Sequence, residues 1–211
     1  MIYYLLPVAL GLIFVLGLGY RGWPDARSRA LSALRRAPNV AIAEIEDGRW
    51  AKITGVVSAL GPPMTSPFSD QPCIGFRLLV ESVKPGLAPG VLAQEECGAF
   101  SIEDDTGKVY VDGPCLFGLD AEADWAIVPP DRRRYVEDAL AKAGLPIAGT
   151  LYGLGYAFRE AVLKPGDRVS VLGLVSFEPD PTEPAAGFRS PSIRAHLRGS
   201  KEEPVVVAEP R

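Results

Sequence analysis

The chain has 211 residues, a formal net charge of −4 and 47% hydrophobic residues, which is enough for one domain with a core of its own. With a basic N-terminal collar set aside, the remaining body is more acidic still and a poor match for nucleic acid, whose phosphates reward clustered Lys and Arg. Gly 22 and Pro 20 point to a turn-rich, mainly β body, and three cysteines without tight spacing suit a reducing compartment better than a disulfide frame.

Met1 to Tyr20 carries no charged side chain and stops at Arg21. About 20 apolar residues rising 1.5 Å each cover a hydrocarbon core of about 30 Å, so this stretch is predicted to be a transmembrane helix. A cleaved signal peptide is the competing reading. It requires a basic n-region and a small-x-small cleavage site, and neither is present. Tyr3 and Tyr4 at one end, with Tyr20 and Trp23 at the other, occupy positions where amphipathic rings settle at membrane interfaces. Gly17, Gly19 and Gly22 spell G-x-G-x-x-G, yet no strand precedes them and Pro24 follows, so a dinucleotide loop is rejected.

Residues 21–39 form a basic juxtamembrane collar in which Arg21, Arg27, Arg29, Arg35 and Arg36 face a single acid, Asp25. The positive-inside rule puts this side in the cytoplasm and the N-terminus outside. Tyr20, Arg21, Trp23, Arg27, Arg29, Arg35 and Arg36 are thus the predicted membrane-proximal residues, with the lipid bilayer as their partner. Pro24 to Ala37 is predicted helical, with Ala26, Ala30, Ala33, Leu34 and Ala37 on one face; it either lies on the membrane surface or serves as a solvated stalk.

Residues 40–211 read as a β domain. Strands are expected at Val40–Ile45 and Trp50–Leu60, and again after Cys73, where Ile74, Phe76, Leu78 and Val80 alternate with Gly75, Arg77, Leu79 and Glu81. Gly61 to Pro67 and Val83 to Gly90 read as Pro/Gly loops. Phe100 to Asp112 is a predicted hairpin, with Asp104, Asp105, Thr106 and Gly107 supplying αL-tolerant turn residues. Asp105-Thr106-Gly107 also spells the aspartic-protease triplet, but one copy at an exposed tip cannot form a proton-sharing dyad. Asp131 to Ala143 is the body's helix, ended by Gly144. Tyr156–Leu163 and Arg168–Phe177 are strands joined by a type II turn at Lys164-Pro165-Gly166-Asp167, and Ser192–Leu197 and Pro204–Val207 close the list.

Three blocks carry a family likeness. They are Ser66-Pro67-Phe68-Ser69-Asp70-Gln71-Pro72-Cys73 running into Phe76-Arg77, then Phe100 to Val111 around Asp104-Asp105-Thr106-Gly107, and Phe158-Arg159-Glu160 leading through Pro165-Gly166-Asp167 to Gly173. Together they resemble the GIDE, or beside-a-membrane (BAM), domain of mitochondrial membrane-anchored ubiquitin ligases and of bacterial membrane proteins. The resemblance implies a small OB-like β-barrel beside a bilayer, here of the bacterial inner-membrane type. It carries over no ligase activity, because His196 is the sole histidine, no C-x-x-C pair exists and no RING zinc site can be built.

The expected fold is therefore mainly β (α+β), an N-terminal transmembrane helix followed by an OB-like barrel with one or two accessory helices. The expected function is a membrane-tethered, non-catalytic module for a protein partner, with no metal, cofactor or nucleic acid. Two alternatives stand beside it. One is an OB-like ligand or single-strand site using Trp50, Tyr110 and Tyr156 for stacking. The other is a hydrolase using Ser or Cys with His196, against which His196 reads as a surface or packing residue. Cys73 reads as a small buried residue, and Arg132-Arg133-Arg134 as a solvated helix start.

Overall fold

The computed structural model describes residues 25–82, 92–119, 125–144, 155–179 and 193–210. The predicted anchor, Arg21 to Trp23 and the expected loop at Val83–Gly90 lie outside them. The strands in chain order are β1 (Trp50–Ala59), β2 (Met64–Thr65), β3 (Pro72–Cys73), β4 (Gly75–Ser82), β5 (Leu92–Cys97), β6 (Phe100–Asp104) and β7 (Gly107–Asp112). They continue as β8 (Cys115–Gly118), β9 (Ala126–Ile127), β10 (Tyr156–Leu163), β11 (Arg168–Pro179), β12 (Ile193–Arg198) and β13 (Val205–Ala208). The α-helices are α1 (Ala26–Arg36) and α2 (Arg133–Lys142).

Five strands close on themselves in the order β1-β6-β7-β12-β11, because β1 pairs with both β6 and β11. Trp50 to Val56 face β11, and from Val56 to Ala59 the strand faces β6. All of these pairs are antiparallel except β7 with β12. Period-2 alternation supplies the interior: Ile53, Val57, Phe100, Ile102, Val109 and Val171 point inward and are buried. The result is a small mainly β barrel, consistent with the OB-like expectation. β13 and β8 extend the sheet from the β11 edge.

The second sheet, β5-β4-β10-β9, stands beside the barrel. Phe76, Leu78 and Val80 on one face of β4 pack with Val136 and Leu140 of α2. The helix is entered through a 3-10 turn at Pro130–Arg132, and Gly144 ends it at φ 67. The Lys164–Asp167 turn has its glycine at φ 93, and Asp167 N donates to Lys164 O (3.1 Å), as a type II turn requires. It does not make a hairpin. β10 belongs to the second sheet and β11 to the barrel, and the turn is pinned to β1 by Gly166 N to Val57 O (2.8 Å) and Val57 N to Asp167 O (3.0 Å).

The strand expected at Val40–Ile45 is absent. Asn39 makes one parallel bridge to Lys52, and Ile42–Glu44 is a 3-10 turn. The cause lies far along the chain. The Asp104 carboxylate accepts Ile42 N (3.0 Å) and the Thr106 hydroxyl accepts Ala43 N (3.1 Å), so side chains satisfy donors that a strand would have paired. Asp104 also accepts Thr106 N (2.7 Å) and Gly107 N (3.0 Å). Burial raises its pKa, but these hydrogen bonds outweigh that and hold it below the usual aspartate value. The hairpin tip therefore needs no left-handed residue, contrary to expectation: Asp105, Thr106 and Gly107 all keep negative φ. Space at 107 is tight: a Cβ there would stand 3.0 Å from Ile42 Cγ2, a contact that a few tenths of an ångström of movement would relieve.

Candidate functional site

The predicted membrane-proximal residues divide into three groups. Tyr20, Arg21 and Trp23 lie outside the described residues. Arg29, Arg35 and Arg36 are exposed on α1. Arg27 pairs with Glu95 of β5 and donates to the Phe117 carbonyl of β8.

Helix α1 begins at Asp25, whose carboxylate accepts Ser28 N (2.6 Å) as an N-cap; that backbone bond lowers its pKa. Leu34, with Ala30, Leu31 and Ala37, packs on Leu172 of β11 and Val206 of β13. The helix is therefore neither a solvated stalk nor a membrane-surface helix through this face, because barrel side chains already cover it.

His196 sits on the outside of β12 and is 8% exposed. Nδ1 contacts Asp112 Oδ2, Nε2 lies 3.9 Å from Glu178 Oε2, and the ring stacks on Tyr110 with centroids 5.5 Å apart. Ser176 is its cross-strand neighbour, yet the Ser176 Oγ is buried without any hydrogen bond. Among the described residues no Ser or Cys side chain bonds to His196, so the base that a nucleophile needs is committed to carboxylates. Arg194 lies over the Tyr110 ring at 4.2 Å, an aromatic-cation pair on the barrel's outer face. Lys108 and Arg198 on that face are neutralised by Glu103 (2.7 Å) and Glu178 (2.6 Å).

The first and third sequence blocks meet in space. Glu160 of β10 accepts Phe68 N (3.0 Å) on one oxygen and Ser69 N (2.9 Å) on the other. The Phe68 ring stacks on Phe158 at 4.3 Å and meets Tyr135 of α2 edge-on at 6.0 Å. Asp70, in the left-handed region at φ 52, pairs with Arg132. Cys73 at the end of this loop is fully buried, and burial, followed by the charge of Glu160, raises its thiol pKa. The Arg132 side chain thus has a partner, in an ion pair that stays exposed to solvent.

A smaller charged cluster went unnoticed in the sequence. Arg27 and Arg77 share one oxygen of Glu95, Arg77 Nε at 3.2 Å. Two strands across, Arg159 lies over the Trp125 ring at 5.3 Å. The β4–β5 register sets Arg77 directly opposite Glu95, but β5 carries no strand signal from which that pairing could be read.

No protein family and no curated protein matches this chain.

Proposed function

We propose that the chain is a membrane-tethered, non-catalytic interaction module, which presents an OB-like domain to a protein partner at the cytoplasmic face of a bacterial inner membrane. The single observation that carries this reading is the packing of α1 on β11 and β13. It leaves no free linker between residue 25 and the barrel, so an apolar run ending at Tyr20 holds the whole domain against the bilayer. The basic collar sets the orientation. The likeness of the three blocks to the GIDE domain supports the same placement, and the contact of Phe68 and Glu160 accounts for two of those blocks as one packed unit.

A second reading, ligand or single-strand binding on the barrel's outer face, is favoured by Arg194 over Tyr110. The ion pairs of Lys108 and Arg198 leave that face little net positive charge with which to attract phosphate.

Tethering and orientation are tested together on sealed vesicles. The full chain is expected to stay with the membrane through alkaline washing and to be cleaved by protease only in inside-out vesicles. Release into the alkaline supernatant, or cleavage from the opposite face, rejects the reading.

A further inference from the structure

The second sheet and the strand that extends the barrel meet at two cysteines. Cys97 ends β5, where it stands opposite Gly75 of β4, and Cys115 opens β8. The missing side chain at Gly75 lets the Phe117 ring of β8 close on this sheet. A Cβ there would stand 2.6 Å from Phe117 Cζ and 3.3 Å from Cys97 Cα. Cys115 precedes Phe117 by two residues, so alternation puts both on one face of β8. Cys97 points to the same seam, because residues paired across a ladder share a face. Both cysteines pack against the barrel core. Arg27 fixes the crossing, since it pairs with Glu95 of β5 and donates to the Phe117 carbonyl of β8.

The two thiols therefore face each other across the seam. Contact with the Cys115 thiol, ahead of burial, raises the Cys97 pKa. Neither sulfur is in a disulfide, and each otherwise has a backbone carbonyl as its acceptor: Gly98 O at 3.3 Å from Cys97 Sγ, and Gly113 O at 3.7 Å from Cys115 Sγ. Both residues are half-buried, and Gly113 and Pro114 beside Cys115 are exposed, so a small reagent reaches Cys115. Cys73 is fully buried. Two open thiols in contact, one of them accessible, are the arrangement that thiol–disulfide exchange requires.

We propose that Cys97 and Cys115 form a reversible disulfide when a small-molecule disulfide accumulates, and that this bond clasps the base of the β6–β7 hairpin. The segment between them contains that hairpin, which supplies two of the five strands that close the barrel. Cys115, deprotonated, attacks one sulfur of the small disulfide, whose S–S bond breaks and whose other half leaves as a thiolate. Cys97 then gives up its proton and attacks the Cys115 sulfur, and the second half leaves. Two protein thiols are oxidised, and one disulfide is reduced to two thiols that carry the two protons. A reducing compartment keeps the pair open at rest, so closure reports a shift in the thiol pool. The proposal does not depend on tethering.

The test uses the full chain in neutral detergent, equilibrated with glutathione buffers of rising oxidised fraction, quenched with acid and mapped by peptide mass. A linked Cys97–Cys115 peptide is expected, with Cys73 still reduced. Folding holds the two thiols together, so the folded chain should reach half linkage at a ratio of oxidised to reduced glutathione about tenfold or more below that of the chain in urea. By linkage the clasped form should unfold about 5 °C or more above the reduced form. Cys97→Ser and Cys115→Ser should each hold a glutathione adduct on the remaining cysteine, and Cys73→Ser should link as the parent does. Separate adducts on Cys97 and Cys115 with no link overturn the proposal, as does a link that takes Cys73. The same ratio for folded and unfolded chains, or a clasped form no more stable than the reduced one, overturns it equally.

Discussion

Gly55→Ala is expected to lower the stability of the barrel by about 3 kcal/mol, at the upper end of what an added methyl costs in a packed site. The reason is the change of partner in β1. At Val56 the strand leaves β11 and takes up β6, and its backbone presses on the neighbouring strand to do so. A Cβ at position 55 would stand 2.2 Å from the Glu103 carbonyl oxygen and 2.8 Å from its carbon. Both are backbone atoms held by the Val56–Glu103 pair, so the clash is relieved only by opening the β1–β6 seam that closes the barrel. Such a loss is a large share of the 5–15 kcal/mol typical of a whole domain. Urea unfolding of the full chain in detergent, followed by tryptophan fluorescence, reads the effect. Gly61→Ala, where nothing lies within 4 Å, is the control and should leave the midpoint in place. An unchanged midpoint for Gly55→Ala would mean that β1 and β6 do not approach as described.

Glu160→Ala is expected to release the Phe68 loop and expose Cys73. The carboxylate satisfies two backbone donors at once, Phe68 N and Ser69 N, and a hydrogen bond to a charged acceptor contributes about 1.5–3 kcal/mol. The site is partly open to solvent, so about 3 kcal/mol for the pair is the expected total. Truncation leaves both N–H groups unmet, frees the Phe68 ring from Phe158, and removes the constraint that keeps Asp70 in its left-handed conformation. The sensitive readout is local. Cys73, fully buried and opposite Met64 in the β2–β3 pair, should react with a maleimide at least about tenfold faster in the variant, because local opening sets its exposure. Peptide mapping separates it from Cys97 and Cys115, which are less buried. Glu160→Gln, which keeps an acceptor oxygen, should fall between. If Cys73 labels at the parental rate in Glu160→Ala, the loop is held by something else.

Strands of both sheets were legible where they alternate cleanly. Trp50–Ala59 of the barrel and Tyr156–Leu163 of the second sheet fall where the pattern of apolar and polar residues puts them, and the glycine in the Lys164–Asp167 turn has the conformation its position implies. What was not legible depends on distant partners. β5, Leu92–Cys97, contains Gln94, Glu95 and Glu96 and carries no strand signal; Arg27 and Arg77 neutralise Glu95, one of them 68 residues away. Val40–Ile45 has a strand's composition, yet a carboxylate 62 residues further on claims the Ile42 N–H. Helix α1 showed an apolar face, but nothing local could tell whether lipid, water or the barrel would cover it; Leu172 and Val206 do. The same holds for His196, whose Asp112 partner lies 84 residues away and arrives only through the parallel β7–β12 pair.

The measurement that bears most directly on the central claim is in-cell crosslinking of the full chain, compared with a chain beginning at Asp25, which keeps α1 over Leu172 and Val206. A tethered binding module predicts one protein recovered reproducibly with the full chain and depleted when the apolar run is missing, with crosslinks mapping to the domain. Recovery of the same proteins at the same yield from both chains would contradict it, as would nothing beyond abundant membrane neighbours.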